Sequence, residues 1–271
     1  MKKLGLFLIA SLFSVLCLTS CLEGSNIGEN EDVGVLTYSS KSHTPVLKTR
    51  LGDFGGPSID ALYATSGMGT CYIFYYRIDY DLPENTAGVV EANGYYTVSI
   101  LACEEIDRYY MRHSLTDTTT LMYEEVPILN GCQNIISYVD DYLFLSHTVS
   151  QASDLQLDWD MSYDPLSMMP TEENGERFYD IFIRATKKNS SDKNKVDVTY
   201  IRAYNVGSYI ENIANKEKML LGGNYYESSS KMKLRFNFIS EIDSDDKITW
   251  KSSTQEIIIS MILPSNSPDA R

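Results

Sequence analysis

Between Leu155 and Met161 apolar and polar side chains alternate without a break. Leu155, Leu157, Trp159 and Met161 fall on one side, and Gln156, Asp158 and Asp160 on the other. A period of two belongs to a half-buried β-strand and gives a helix no single apolar stripe. Strand-like segments recur along the chain, at 33–38, 71–79 (CYIFYYRID), 95–101, 135–139, 142–149, 178–186, 196–204, 233–240 and 256–263. Turn residues separate them. Asn93-Gly94, preceded by an arm at 87–91, reads as a type I′ hairpin, and Asp140-Asp141 as a second short turn. Many short strands joined this way predict a mainly β fold.

One helix is predicted at 208–221. Ser208 and Glu211 have capping-box spacing, Tyr209, Ile210, Ile213 and Leu220 follow a helical period, and Gly222-Gly223 ends it. A lesser candidate covers 103–111. The Ser/Thr/Asp-rich stretch 114–120 and Pro127 suggest a boundary. The expected organisation is a small barrel-like unit at 33–130 and a β-sandwich at 131–264, sharing little core, with 114–120 open to proteases. Residues 265–271 read as a frayed tail.

The start of the chain carries a different message. Lys2 and Lys3 precede an apolar run from Leu4 to Leu18, too short for a membrane span but suited to a signal sequence. Leu18-Thr19-Ser20-Cys21 then resembles the lipobox read by lipoprotein signal peptidase. Residues 1–20 are therefore expected to leave by cleavage between Ser20 and Cys21, with lipid carried on the Cys21 thiol. Cys17 would leave with them. Several acyl chains, at about 0.8 kcal/mol per buried methylene, would hold the protein firmly on a membrane. Residues 21–32 are acidic and rich in Gly, Ser and Asn, and read as a flexible tether. An acidic stretch after a lipidated cysteine resembles an export signal to the outer leaflet, so the expected address is the cell envelope, at the outer membrane.

The formal charge of −14 becomes −16 once Lys2 and Lys3 are removed. Such a balance argues against nucleic acid and against a polybasic membrane contact. The 20 tyrosines fall mostly in strand segments, where the residue is favoured, though tyrosine also suits sugar-binding platforms. Cys71, Cys103 and Cys132 remain after processing and allow at most one internal disulfide, with three pairings open.

Catalytic signals are sparse. His43, His113 and His147 stand at no metal-ligand spacing, and no metal or cofactor is expected. Asp158 and Asp160 share a strand face, as paired glycosidase carboxylates can. The plainer reading makes them the solvated side of a strand whose apolar side carries Trp159. The run 243–246 (DSDD) lacks the glycine and distal glutamate of a calcium loop and reads as a hairpin turn.

Several segments together resemble the NigD-like lipoproteins of bacterial envelopes. The run YVDDYLFLS at 138–146 is similar to that family's entry into its second domain. The strand at 178–184 (FYDIFIR) is similar to a later strand ending in arginine, here Arg184, and 196–201 to the strand after it. Residues 74–101 resemble that family's OB-like N-terminal barrel. The resemblance implies a small OB-like β-barrel followed by a β-sandwich, with one or two short helices. It implies an address rather than a reaction. The expected role is a non-enzymatic lipid-anchored protein that binds or supports another envelope component, protein or glycan. The alternative is a surface glycan-binding module of a polysaccharide-uptake system.

Overall fold

The computed structural model describes residues 26–263 apart from 115, 131–134, 153, 166–168 and 192, and gives no side-chain account of 135 and 136. The signal sequence, Ser20, Cys21, Cys132 and the tail at 265–271 lie outside the described residues. Strands dominate, as the alternation predicts.

The first sheet is built from β1 (Ile27–Tyr38), β2 (Pro45–Thr49), β3 (Gly52–Gly55), β4 (Cys71–Asp79), β5 (Tyr96–Thr97) and β6 (Ser99–Ile106), in the order β5-β3-β2-β1-β4-β6. β1 pairs with both β2 and β4, antiparallel. β5 and β6 are one strand interrupted at Val98. Its first part runs parallel to β3 and its second antiparallel to β4. One last strand touching both ends of the sheet closes it into the Greek-key barrel of an OB fold. Helix α1 (Pro57–Ser66) connects β3 to β4, and α2 (Ala87–Asn93) precedes β5. Tyr72, Phe74, Tyr76 and Ile78 alternate inward along β4 and pack on Leu36, Leu47, Phe54 and Val98. The Phe54 and Tyr76 rings lie 4.6 Å apart.

The second sheet contains β7 (Arg108–His113), β8 (Ile128–Asn130), β9 (Ile135–Val139), β10 (Tyr142–Ala152), β11 (Leu157–Tyr163), β12 (Thr171–Glu173), β13 (Glu176–Lys187), β14 (Lys195–Asn205), β15 (Lys231–Ile242) and β16 (Ile248–Ile258). The main path is β16-β15-β13-β11-β7-β14-β10-β8. β7 is the joint. Arg108–Tyr110 pairs with β14, and Met111–His113 with β11. The sheet curls about this joint so that both halves feed one core, with Leu143 and Leu145 of β10, Trp159 and Met161 of β11, Ile181 and Ile183 of β13, and Leu234 and Phe236 of β15. Helix α3 (Gly207–Leu221) adds Tyr209, Ile210, Ile213 and Ala214 to that core.

Two runs that look continuously apolar in the sequence are strands buried on both faces. In β1, Leu36 points into the barrel while Val33 and Val35 face the second unit. A Cβ at Gly34 would sit 2.9 Å from the Lys48 carbonyl, so glycine is required by close packing. In β10, Leu143 and Leu145 enter the second core while Phe144 meets Val33, Val35, Cys71 and Ile106. The units therefore share a third core, closed at its edge by the Lys48–Asp140 ion pair at 2.8 Å.

That junction corrects the expectation of little shared core. The change of sheet also falls at Asp107 rather than near 131, because β7 and β8 pair only within the second sheet. Residues 27–32 are not tether. They pair with β4 from Ile27↔Asp79 to Asp32↔Phe74. Asn93-Gly94 ends a helix instead of turning a hairpin: Gly94 has φ 79° and its N–H bonds the Val90 carbonyl. A type I′ turn and a helix C-terminus both want a left-handed glycine, so the dipeptide fits either. Segment 103–111 is strand, and Ser208 lies inside α3 without capping it. At Asp140-Asp141 the reading holds, with φ of 48° and 70° at the β9–β10 turn.

Candidate functional site

The outward faces of β7, β11 and β13 share one set of polar residues. Trp159 and Met161 belong to the core, so Asp158, Asp160 and Ser162 face outward. Register places Asp158 opposite Thr186, Asp160 opposite Arg184, and Ser162 opposite Phe182. On β7 the core takes Met111, and Arg112 points outward beside Asp160.

The segment 114–126 crosses this face and is fastened to it. The buried Arg184 guanidinium donates to the carbonyls of Asp117 and Thr120, each at 2.8 Å, and to both oxygens of the buried Glu125 carboxylate. Glu125 also accepts the Met122 N–H at 2.9 Å. The Trp250 indole donates to the Thr118 carbonyl at 3.0 Å and lies under the Arg184 guanidinium. Thr116 and Ser162 join hydroxyl to hydroxyl. The stretch 114–120, expected to be open to proteases, is thus held at 116, 117, 118 and 120, and the strap is held again at 125.

Beside this strap lies a cavity of about 470 Å³, lined by Arg112, Asp117, Met122, Asp158, Trp159, Asp160, Arg184 and Thr186. Its charged groups are engaged. Arg112 grips Asp160 with Nε at 3.0 Å and Nη2 at 2.5 Å, and also reaches Ser114. Asp158 pairs with Lys188 at 3.2 Å. Asp117 accepts from the Thr119 hydroxyl and from the Thr119 and Thr120 N–H groups, which hold its carboxyl well below the usual range.

The structure brings Asp158 and Asp160 together on one face, as the alternation requires. Trp159 is 4% exposed, and its ring stacks on His147 at 4.6 Å. An indole so placed is no open sugar platform. His147 is fully buried, bonds Tyr204 at 2.9 Å, and burial pushes its imidazole down to about 3. His113 bonds Tyr163, and His43 sits in a turn elsewhere. Among the described residues no group of His, Cys, Asp or Glu side chains is placed to hold a metal ion. Cys71 is buried, which raises its thiol to about 12, and Cys103 is exposed. Across β4 and β6 they pair with Ile106 and Phe74, so register keeps the two thiols apart.

Sequence reasoning missed the Arg184–Glu125 centre. A signal existed: the outward face of β13 reads Phe178, Asp180, Phe182, Arg184, an aromatic–charged alternation suited to a covered surface. Nothing in the sequence names the partner, 59 positions away.

An OB barrel docked on a curled mixed sheet defines the class of fold. A family model described as a lipoprotein OB domain matches residues 24–104. The barrel therefore matches a lipoprotein OB domain, which agrees with the OB-like N-terminal unit expected from the sequence and is consistent with a place in the cell envelope. The second unit lies beyond the matched residues. Among solved structures, an uncharacterized protein of Parabacteroides merdae is similar at 17% identity and a TM-score of 0.68, over 85% of this chain and 99% of that one. A toxin-related protein of Parabacteroides distasonis is similar at 10% identity and a TM-score of 0.52, over 85% of this chain and 93% of that one. These likenesses concern the fold alone. A NigD-like immunity protein of Bacteroides caccae also matches, at 10% identity and a TM-score of 0.43, over 84% of this chain and 97% of that one, a level that carries no argument. A search of curated proteins returned no match.

Proposed function

We propose that this chain is a non-enzymatic lipoprotein of the outer membrane, anchored by acyl groups on Cys21, that recognises another envelope component with the outer face of its second unit. The lipobox and the lipoprotein OB domain support the address. The observation that carries the role is the cavity beside the strap. Its charged side chains are held by partners within the fold, which gives a pre-organised polar surface rather than a poised acid and base.

The test places a photo-crosslinking residue at position 158 in cells. A single envelope partner should be captured, and Arg112→Glu should abolish the product. No crosslink from 158 would remove the reading. Turnover of a glycan panel that is lost in Asp160→Asn would replace it with a hydrolase.

A second reading, a glycan-binding module, is favoured by three carboxylates and Arg112 around one cavity, with the exposed Tyr123 next to the lining residue Met122. Retention of the protein on one polysaccharide in affinity gels, weakened by Asp158→Ala, would move it to first place.

A further inference from the structure

The end of the barrel where the chain enters carries three exposed apolar side chains. Ile27, Tyr80 and Leu82 are 45%, 51% and 39% exposed. Their backbones meet at this end: Ile27 pairs with Asp79, the Tyr80 N–H bonds the Asn26 carbonyl at 2.9 Å, and the Leu82 N–H reaches the Asp79 carbonyl at 3.4 Å. Ile27 leans to the outer face with Asp79, and the Tyr80 ring to the inner face over Gly28, so they flank the end of the wall from its two sides. The surface is rigidly built. Asn26 donates to Asp81 at 2.7 Å, and the buried Asn85 ties the carbonyl of Asp79 to β5 through both Thr97 backbone groups. The Tyr80 ring packs edge-on against Tyr96. A turn that only reversed the chain would not need three exposed apolar side chains on so well-braced a frame.

Six residue steps separate Cys21 from Ile27. Even fully extended, they span at most about 20 Å. Lipid on Cys21 therefore holds this end of the barrel close to the headgroup layer, where a weak contact becomes occupied because it is intramolecular. Tyrosine suits that layer, with its ring in the apolar zone and its hydroxyl in the wet one. Asp79 lies opposite Ile27, and Asp81 and Glu84 follow in the same connection, so this end suits headgroups that present an ammonium and is repelled by anionic ones.

We propose that the Ile27–Tyr80–Leu82 end of the barrel is a membrane-contacting surface that rests on the zwitterionic headgroup layer of the bilayer to which the protein is anchored. The proposal rests on lipidation of Cys21 and adds to it a fixed orientation. The lipid would hold the OB barrel flat-ended on the membrane and the second unit, docked through the shared core, away from it.

The test uses the full chain, expressed with its signal and purified in acylated form, carrying Leu82→Trp. It is reconstituted into phosphatidylethanolamine–phosphatidylcholine vesicles with or without bromine near the headgroup end of the acyl chains. The unsubstituted chain, with Trp159 and Trp250, supplies the background. Flotation of the vesicles first reports the anchor, and Cys21→Ser should fail to float. In floated protein, the emission added by Leu82→Trp should fall at least about twofold on brominated vesicles. Met219→Trp, on the exposed end of α3, should be unaffected. Replacing a third of the lipid with phosphatidylglycerol should reduce the quenching. Protein that floats with no quenching at position 82 overturns the surface and leaves the anchor standing. Acylated protein that fails to float overturns the anchor and the surface with it. A spectral shift at position 82 that grows with protein concentration in the absence of vesicles would assign the patch to a second copy and also overturn the proposal.

Discussion

Two arginine–carboxylate pairs sit side by side on the outer face of the second sheet, on cross-strand partners of β11 and β13. Both are bidentate. Arg112–Asp160 has side chains 46% and 27% exposed, whereas Arg184–Glu125 has 4% and 0%. The chemistry is the same and the roles differ. Arg112 holds one neighbouring strand and stays in contact with solvent. Arg184 spends its remaining donors on two carbonyls of the strap 114–126, so the whole crossing segment is organised around one cation. A solvated pair contributes little to stability, because water competes for both ions. A buried one becomes indispensable once formed, since either ion left alone is a desolvated charge.

Breaking the buried pair should have the largest effect. Glu125→Gln is expected to lower stability by about 3–5 kcal/mol, read as a lower urea midpoint, and to open 114–120 to limited proteolysis. Replacing both partners, Arg184→Met with Glu125→Leu, should recover most of the stability but not the protection of the strap, because the two carbonyl contacts are gone. Equal protection in the double variant would show that Trp250 and Thr116 fasten the strap without the arginine.

The inner face of the same strand sharpens the contrast. Trp159→Ala removes a buried ring and should cost about 3–5 kcal/mol. The indole Nε1 finds no acceptor among the described residues. Trp159→Phe, which keeps a ring against His147 and discards that donor, is therefore expected to lose far less. Native-state acrylamide quenching of Trp159, in a Trp250→Phe background, should be weak. Strong quenching would place the indole at the surface and revive it as a sugar platform.

Much of this was legible before any coordinates. Strict alternation assigned Trp159 to the core and Asp158 and Asp160 to one outer face. The segments at 33–38 and 142–149 were legible as strands, but their sealing of the two units together was not, since little shared core was expected. What escaped was decided by contacts distant in sequence or by ambiguous local signals. Helix α1 carries Pro57 at its start and Gly67 at its end, but Ile59 is its one buried residue, so no helical stripe advertises it. Segment 103–111 has charges spaced as a helix would carry them, yet pairing with β4 makes its first part a strand with an exposed face. The Arg184 centre joins residues whose partnership exists only after β13 and the strap have met.

Acid provides a graded test of the interior behind the cavity. His147 packs against Trp159 and Tyr204, with Arg202 adding to the effect of burial, and its imidazole is held down at about 3 against an ordinary value of 6.5. Between those limits the unfolded chain binds a proton that the folded chain refuses. This contribution therefore leaves stability intact above about pH 6.5 and erodes it as the pH falls towards 3. At pH 5 the loss should be about 2 kcal/mol from this group alone. His147→Gln removes the titration, so its urea midpoint should change less than that of the parent chain between pH 7 and pH 5. Parallel slopes would mean that the imidazole is protonated inside the fold.

The exposed pair gives the smallest expected change and the sharpest check on the comparison. Asp160→Asn keeps the size of the side chain and removes its charge from the Arg112 fork. With both partners in contact with water, the loss should stay below about 1 kcal/mol. It should also shrink in 1 M salt, where screening acts within about 3 Å. Arg112 would remain solvated and free to meet Asp158 or a ligand, so a binding measurement should register the substitution more strongly than an unfolding curve. A loss near 3 kcal/mol that persists in high salt would make the two pairs equivalent. The outer face would then be a continuous structural seam from Arg112 to Glu125, and the cavity beside it a consequence of that seam rather than a place for recognition.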